Sequence, residues 1–290
     1  MQRLTISTLA SGSITSISRA SLSWTNSPSC GKEDKYVLIN NVSDTEFISE
    51  HNLTEEVFNN KLSNWVSILK EANYKCNVYT SPHVISINER FVYNDEMIGD
   101  DDLANLLSEV HEVNNGKPLT YFEALTAGFF LGCMKYQDNI VLAEFGLFGR
   151  GDAVNILKKN LANCITSISY DHLEWLPEND RTIERIIYEK TSSLLNSNII
   201  VAKQSSNKIV ECIKKNISNN SANKIFYKED YNFVLKENDF FLYEDQYGSL
   251  KIPKPSIKGD FQLENASTAI ATLRILKESV SYTHLRAHET

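Results

Sequence analysis

Apolar and polar positions along the chain predict short strands separated by helices. Three apolar runs have the length and composition of buried strands: Cys76–Thr80, Ile140–Ala143 and Cys164–Ser169. Apolar residues at helical spacing predict helices at Asn60–Asn73, Asp100–Val113, Leu119–Lys135, Asn179–Leu195, Asn207–Ile217 and Leu263–Leu276. Further short strands are predicted at Ile199–Ala202 and Ile225–Tyr227, and a hairpin at Phe233–Ile252. The alternation predicts an α/β fold: a mostly parallel sheet flanked by helices, with a small β hairpin region.

The predicted strand Ile140–Ala143 runs directly into a turn rich in glycine and charge. Glu144, Arg150 and Asp152 lie in this turn together with three glycines. In parallel sheets, ligands bind at the carboxyl ends of the strands, where glycine turns and helix N-termini meet. A carboxylate directly after a buried strand needs a partner. For Glu144 the local pattern favours a metal ion and Arg150 about equally.

Two other predicted strands also end in polar residues. The strand Cys76–Thr80 leads into Ser81, Pro82 and His83, and the strand Cys164–Ser169 leads into Asp171 and His172. A single histidine after a strand is more often a hydrogen-bonded structural residue than a ligand. Three polar strand ends in one sheet nevertheless favour a shared site.

Composition narrows the classes of function. A chain of 290 residues can form one large α/β domain or two small ones. The net charge of -8, from 29 basic and 37 acidic residues, gives no support for a nucleic-acid partner. The longest apolar stretch, Ala124–Met134, is too short to span a bilayer. The five cysteines form no C-x-x-C pair and suit reduced thiols. We therefore expect a cytoplasmic protein without membrane attachment. A monomer is also expected.

Both ends of the chain differ from its body. Residues 1–50 form an atypical N-terminal segment, for which an artefactual origin is one interpretation. Residues 280–290 back-translate into a transposase-end adapter used in DNA library preparation, so His284 and His288 are not counted as candidate ligands. This division leaves residues 51–279 as the expected domain.

Six groups of segments, in order, carry a family resemblance. They are Tyr79–His83 with Asn88–Arg90, Leu119–Glu123, Glu144–Asn155, Ile165–Ile168 with Asp171–His172, Glu189–Lys190, and Gly259–Ala266. In this order and spacing the chain resembles the folylpolyglutamate synthase and dihydrofolate synthase family, relatives of the Mur peptide ligases. The resemblance covers Ser67–Ser279 and implies a Mur-ligase-like central ATPase domain.

The resemblance implies an ATP-dependent ligase that adds L-glutamate to dihydropteroate or a folate. ATP would phosphorylate a substrate carboxylate, and the glutamate amine would attack the acyl phosphate while Mg²⁺ neutralises phosphate charge. The implied metal-binding residues are Glu144, His172 and Lys190, the last as a carbamylated and catalytic lysine. The implied ATP-binding residues, near the adenine, are Gln262 and Asn265. The residues assigned to substrate binding are Ser81, Pro82, His83, Thr120, Tyr121, Phe122, Arg150 and Asp152.

Structural alternatives to these roles stay open. Mg²⁺ prefers oxygen ligands, so the metal role of a histidine rests on family analogy. Without the resemblance, Lys190 would be a solvent-exposed helix lysine. Tyr121 and Phe122 could equally be core aromatics. Gln262 and Asn265 could be polar residues at a helix N-terminus.

The chain also departs from the family pattern. A phosphate loop of the G-x-x-G-K-[ST] kind is expected before the first helix, but Thr54–Ser63 contains no glycine and has two glutamates. We also expect the family's C-terminal glutamate-binding domain to be absent. We therefore expect a truncated chain with little or no ligase activity. One alternative hypothesis is a non-catalytic pterin-binding protein that has lost its nucleotide site. Another is a ligase of the same superfamily with an amino-acid or peptide substrate.

Overall fold

The computed structural model describes residues 4–8, 20–24, 36–40, 62–136, 139–236, 240–255 and 261–279. The adapter-like tail 280–290 and most of the N-terminal segment lie outside these ranges. Residues 54–61 of the segment compared with a phosphate loop also lie outside them, as do Gly259 and Asp260 of the last family motif.

An eight-stranded sheet forms the centre of the described fold. Its strands are β3 (Tyr36–Asn40), β4 (Cys76–Tyr79), β5 (Phe91–Tyr93), β6 (Glu96–Met97), β7 (Ile140–Glu144), β8 (Ala162–Ile165), β9 (Asn198–Val201) and β10 (Lys224–Phe226). Their order is β10-β9-β8-β3-β7-β4-β5-β6. The pairs from β10 to β4 are parallel, and β5 and β6 add antiparallel pairs at one edge. The predicted α/β class with a mostly parallel sheet is confirmed.

The central strand β3 was not predicted. It lies between β7 and β8, with Ile39 opposite Glu144 and Asn40 opposite Ile165. The sheet thus includes residues 36–40 of the segment 1–50, whereas the domain division itself stays a prediction. The strand was missed because the composition of the whole segment obscured one short apolar run. Upstream of it, β1 (Leu4–Thr8) and β2 (Ala20–Trp24) form an antiparallel pair.

Helices cover both faces of the sheet. They are α1 (Ser63–Glu71), α2 (Asp100–Asn114), α3 (Tyr121–Cys133), α4 (Ile183–Thr191), α5 (Asn207–Asn216) and α6 (Phe261–Ser279). Successive strand residues point to opposite faces. Leu142 packs in the cluster that includes α1 and α6, whereas Val141 and Ala143 pack in the cluster that includes α2 and α3. Burial on both faces explains why these strands are continuous apolar runs.

Three predicted elements differ in detail. The strand predicted at Cys164–Ser169 is β8, which lies earlier because the buried Asn163 bonds to Asn160 and Ser197. The helix predicted at Asn179–Leu195 is the shorter α4, whose start is capped by Thr182. The predicted hairpin is a three-stranded antiparallel sheet of β11 (Tyr231–Leu235), β12 (Phe240–Asp245) and β13 (Gly248–Pro253).

Two general expectations can be compared with the described residues. Cys76, Cys133, Cys164 and Cys212 are free thiols, as the sequence predicted. Of the helices in the described ranges, none has the length and apolar character needed to cross a membrane.

Candidate active site

Glu144 ends β7 and is almost completely buried, with 2% of its surface exposed. The backbone N–H of Ser81, just beyond the end of the neighbouring strand β4, donates to Oε2 of Glu144 at 3.0 Å. The polar residues predicted to follow β4 and β7 therefore meet at one edge of the sheet. Of the two partners considered for Glu144, Arg150 instead forms its ion pair with another carboxylate.

Arg150 binds Glu189 of α4. Its Nε and Nη2 donate to the two carboxylate oxygens at 2.6 and 2.8 Å, and its backbone N–H donates to the Glu189 carbonyl at 2.9 Å. Arg185 also reaches Glu189, with Nη2 2.5 Å from Oε1. The hydrogen bonds that Arg150 donates to the Glu189 carboxylate raise the pKa of Arg150. These contacts fix the glycine turn against α4.

Two glycines allow the turn to approach its neighbours. A Cβ on Gly146 would lie 2.5 Å from the Phe122 ring, and one on Gly149 would lie 2.9 Å from the carbonyl oxygen of Lys190. Asp152 holds the turn from within, since its carboxylate accepts from the N–H groups of Leu147 and Val154, both at 2.9 Å. Burial raises the pKa of Asp152 to about 6, although these N–H groups act to lower it.

Lys190 is a buried residue of α4, so the interpretation as a solvent-exposed helix lysine is wrong. It is 1% exposed, and its Nζ donates to the Leu147 carbonyl at 3.2 Å. Nζ also lies 5.8 Å from the centre of the Phe148 ring. His172 contacts the same ring edge-on at 5.9 Å, and its Nε2 lies 3.2 Å from Oδ2 of Asp171. Phe148 thus brings Lys190 and His172 to one place beside the glycine turn.

The loop after β4 is held by side chains that follow it. Its Ser81–Pro82 peptide bond is cis. Three consecutive backbone N–H groups, of residues 84–86, donate to the carboxylate of Glu89 at 2.6 to 2.8 Å. Partial burial raises the pKa of Glu89, but these bonds outweigh it and lower the pKa below the ordinary value of 4.5. His83 accepts a hydrogen bond at Nδ1 from Nε of Arg90 at 2.8 Å.

Thr120, Tyr121 and Phe122, which were assigned to substrate binding, have different environments. Thr120 is exposed and caps α3 through a reciprocal pair of hydrogen bonds with Glu123. Tyr121 is 60% exposed, which excludes the core alternative for this residue. Phe122 is partly buried against Tyr79, with 5.9 Å between ring centres, and against Gly146. Phe122 therefore combines packing with a position beside the glycine turn.

Gln262 and Asn265 lie in the first turns of α6. Gln262 is buried and accepts a hydrogen bond from Nδ2 of Asn64, in the first turn of α1, at 3.5 Å. Two residues later, Glu264 pairs with Lys203, just after β9, at 2.7 Å. This end of α6 thus lies beside the start of α1 and the carboxyl end of β9, three strands across the sheet from β7. The structure therefore does not place Gln262 and Asn265 in the group formed around Glu144, Lys190 and His172.

Sequence reasoning overlooked two amides that support the site. Nδ2 of Asn155 donates to the Gly149 carbonyl and to Oγ of Ser193, both at 2.8 Å. Gln204 accepts from the N–H of Ile168 at 2.9 Å and donates to the Thr166 carbonyl at 3.0 Å, holding the segment after β8. An amide that follows a strand end was the available signal, but Ser193 and Thr166 each lie 38 residues from the amide that contacts them.

The donor set around Glu144 can be compared with the needs of a divalent cation. No group of three or more His, Cys, Asp and Glu side chains suited to a metal ion occurs within the ranges that the structure describes. Glu144 supplies the oxygen atoms that Mg²⁺ prefers. Lys190, as an amine donating to Leu147, is not a ligand in this form, whereas a carbamate at its Nζ would supply oxygens.

Comparisons with known proteins give the family to which the chain is similar. No protein-family model matches. The dihydrofolate synthase/folylpolyglutamate synthase of Escherichia coli is 28% identical over 223 residues, 76% of this chain and 50% of that protein. A solved structure of E. coli FolC in complex with DHPP and ADP superimposes with a TM-score of 0.69 and 25% identity, covering 84% of this chain and 54% of that one. The predicted family resemblance is confirmed.

The similarity to dihydrofolate synthase/folylpolyglutamate synthases extends to a second solved structure. The bifunctional enzyme of Yersinia pestis, complexed with AMPPNP and a Mn ion, has a TM-score of 0.70 at 21% identity, covering 88% of this chain and 56% of that one. At this identity it supports the Mur-ligase-like fold alone. The chain spans about half the length of the curated relatives it matches.

Proposed function

We propose that the protein is an ATP-dependent amide ligase that adds L-glutamate to dihydropteroate or a folate. The terminal phosphoryl group of ATP passes to a substrate carboxylate. The glutamate amine then displaces phosphate from the acyl phosphate, which forms the amide. The similarity in sequence and fold to dihydrofolate synthase/folylpolyglutamate synthases supports this proposal, since FolC was solved with ADP and DHPP.

The observation that carries the proposal is the buried carboxylate of Glu144 at the carboxyl edge of the sheet. It accepts an N–H from the Ser81 loop, and the glycine turn that follows it receives the amine of Lys190. A reaction that brings two anions together needs positive charge held in a fixed position. A divalent cation held by the Glu144 carboxylate beside the glycine turn would meet this need.

Glu144, His172 and a carbamylated Lys190 would hold Mg²⁺ in this proposal. The ion supplies neutralisation of phosphate charge when it is bound. Gln262 and Asn265 are assigned to the adenine side of ATP, beside α1. Arg150 and Asp152 are assigned to the substrate side, where they hold the shape of the glycine turn through Glu189 and Leu147.

The first experiment measures binding, because the sequence predicts little turnover by these 290 residues. Isothermal titration with AMPPNP, with and without Mg²⁺, and with dihydropteroate tests each ligand separately. We expect AMPPNP to bind only with Mg²⁺ and Glu144→Gln to weaken that binding at least tenfold. Glu184→Gln is the matched control, since Glu184 pairs with Lys208 on the exposed surface of α4. A turnover assay with ATP, Mg²⁺, glutamate and dihydropteroate accompanies the titrations.

Each outcome separates the hypotheses. Binding of dihydropteroate without any binding of Mg²⁺–AMPPNP would reject the ligase and favour a non-catalytic pterin-binding protein. Loss of AMPPNP binding to the same extent in both variants would remove Glu144 from the metal site. For Lys190, a ¹³C carbamate resonance in ¹³C-bicarbonate should be present in the protein and absent in Lys190→Arg. Its absence from the unaltered protein would reject the carbamate.

A further inference from the structure

Arg90 is a buried arginine close to the candidate site. It ends the 3-10 turn Ile87–Arg90, is 8% exposed, and precedes β5. Its carbonyl accepts from the N–H of Thr80 at 3.3 Å, and the next residue along, Ser81, donates to Glu144. Arg90 therefore lies beside the carboxyl end of β4, a few residues from the buried carboxylate.

The guanidinium of Arg90 has no anion among the described residues. Its hydrogen bond there is the one from Nε to Nδ1 of His83, and no carboxylate lies within 4.0 Å of its nitrogens. The adjacent Glu89 is taken by the backbone N–H groups of residues 84–86. By contrast, Arg150 and Arg274, with side chains 48% and 21% exposed, each pair with a carboxylate.

Arg90 is 8% exposed, and its terminal nitrogens Nη1 and Nη2 are not among the buried side-chain atoms that lack a hydrogen-bond partner. These nitrogens therefore keep some contact with solvent, through which an anion can reach them and supply the opposite charge that the described residues do not. This makes Arg90 a candidate binding residue. Its geometry favours a carboxylate. With Nε bonded to His83, the Nη1 and Nη2 edge remains to receive the two oxygens of a carboxylate side by side.

The hydrogen bond between Arg90 and His83 holds the guanidinium in this orientation and also fixes the tautomer of His83. Arginine nitrogens only donate, so Nδ1 of His83 is the acceptor and the neutral imidazole carries its proton on Nε2. The loop beside this pair exposes two apolar side chains, Val84 at 43% and Ile85 at 68%. A cation next to apolar surface suits an aromatic carboxylate better than a phosphate group.

We propose that Arg90, oriented by His83, binds the carboxylate of the aromatic acceptor substrate. This inference rests on the proposed function for the identity of the substrate, dihydropteroate or a folate. It adds a substrate-binding residue outside the glycine turn and explains why a buried guanidinium lacks a protein partner.

The test combines a change in the protein with a change in the ligand. Dissociation constants are measured for dihydropteroate and its methyl ester with the unaltered protein, Arg90→Gln and Arg90→Lys. Arg181→Gln is the control, since exposed Arg181 bonds through Nε to the Leu176 carbonyl. We expect the acid to bind the unaltered protein and the control about 10- to 100-fold more tightly than the ester. In Arg90→Gln the two ligands should bind alike, with Arg90→Lys in between.

If Arg90 has a purely structural role, Arg90→Gln should weaken the binding of the acid and of the ester by the same factor. The preference for the acid would then be preserved in Arg90→Gln, and that result would overturn the proposal. If Arg90→Gln loses Mg²⁺–AMPPNP binding but still prefers the acid to the ester, Arg90 binds a phosphate group of the nucleotide, and the proposal is overturned as well. If neither pteroate ligand binds the unaltered protein, the proposed function fails. Titration with 4-aminobenzoate then decides the site by itself: a shift of the Arg90 ¹⁵Nε resonance supports a carboxylate site, and no shift overturns it.

Discussion

Gly149→Ala should destabilise the protein, although alanine usually lowers the conformational entropy of the unfolded chain. A Cβ at this position would lie 2.9 Å from the Lys190 carbonyl oxygen and 3.3 Å from Oγ of Ser193. The serine hydroxyl can rotate away, but the carbonyl belongs to the backbone of α4. Arg150 holds that backbone by its N–H bond to the Glu189 carbonyl.

The size of the effect follows from the overlap. Ordinary contact begins near 3.4 Å, so the turn and the helix must separate by about 0.5 Å. Forcing an extra carbon into a packed site costs about 1–3 kcal/mol. The entropic gain of a Gly→Ala change offsets about 0.4–1 kcal/mol of this. We expect a net loss of about 1–2 kcal/mol in the free energy of unfolding.

Urea unfolding followed by tryptophan fluorescence measures this loss, since Trp65 is buried and reports on the core. Gly99→Ala is the matched control, because a Cβ there would have no atom within 4 Å. Gly99 precedes α2 as its N-cap, where glycine is preferred to alanine, so this loss and the entropic gain should nearly cancel. An unfolding midpoint for Gly149→Ala equal to that of Gly99→Ala would refute the steric argument.

Three further changes test charged side chains that hold the fold. Glu89→Gln should lower the free energy of unfolding at neutral pH by about 1–3 kcal/mol. The native pKa of Glu89 lies below 4.5, so the unaltered protein should lose this contribution as the pH falls below 4.5. The variant lacks the carboxylate and should not show this loss. Burial raises the native pKa of Asp152 from 3.8 to about 6, so the free energy of unfolding should fall by on the order of 2–3 kcal/mol as the pH rises through this range. Asp152→Asn should make the free energy of unfolding less dependent on pH there. Urea midpoints measured from pH 3 to pH 7 check both, and unchanged profiles would contradict them. Asp245→Asn breaks the partly buried ion pair with Arg274 that joins β12 to α6, and it should lower the free energy of unfolding at pH 7 by about 2–4 kcal/mol. A thermal midpoint within about 1 °C of the unaltered protein would contradict this.

The sequence was informative where the pattern is local. The strand that ends at Glu144 and the capped helix Tyr121–Cys133 are both runs of apolar residues that can be recognised from their own sequence. Their polar ends could also be assigned to one edge, because parallel strands end on the same side of a sheet. The family motifs then added roles that periodicity does not contain.

Long-range partners could not be predicted in this way. Arg150 and Glu189 are 39 residues apart, and the local pattern offered only Glu144 as a partner for Arg150, about as readily as a metal ion for Glu144. The burial of Lys190 depends on the Gly149 contact and on Phe148, which a helical pattern does not reveal. The strand β3 was hidden for a similar reason: only its pairing with β7 and β8 distinguishes it from the surrounding segment.

Leu147 connects two of the candidate site residues through its own backbone. Its N–H donates to Asp152 at 2.9 Å, and its carbonyl accepts from Nζ of Lys190 at 3.2 Å. A carbamate on Lys190 would keep one N–H on Nζ, so the same carbonyl could still accept it. The carbamate oxygens would then be directed away from Leu147, because a carbonyl repels other acceptors. The glycine turn can therefore hold the lysine in one orientation in both chemical forms, and Asp152 fixes the turn from the other side of the same residue.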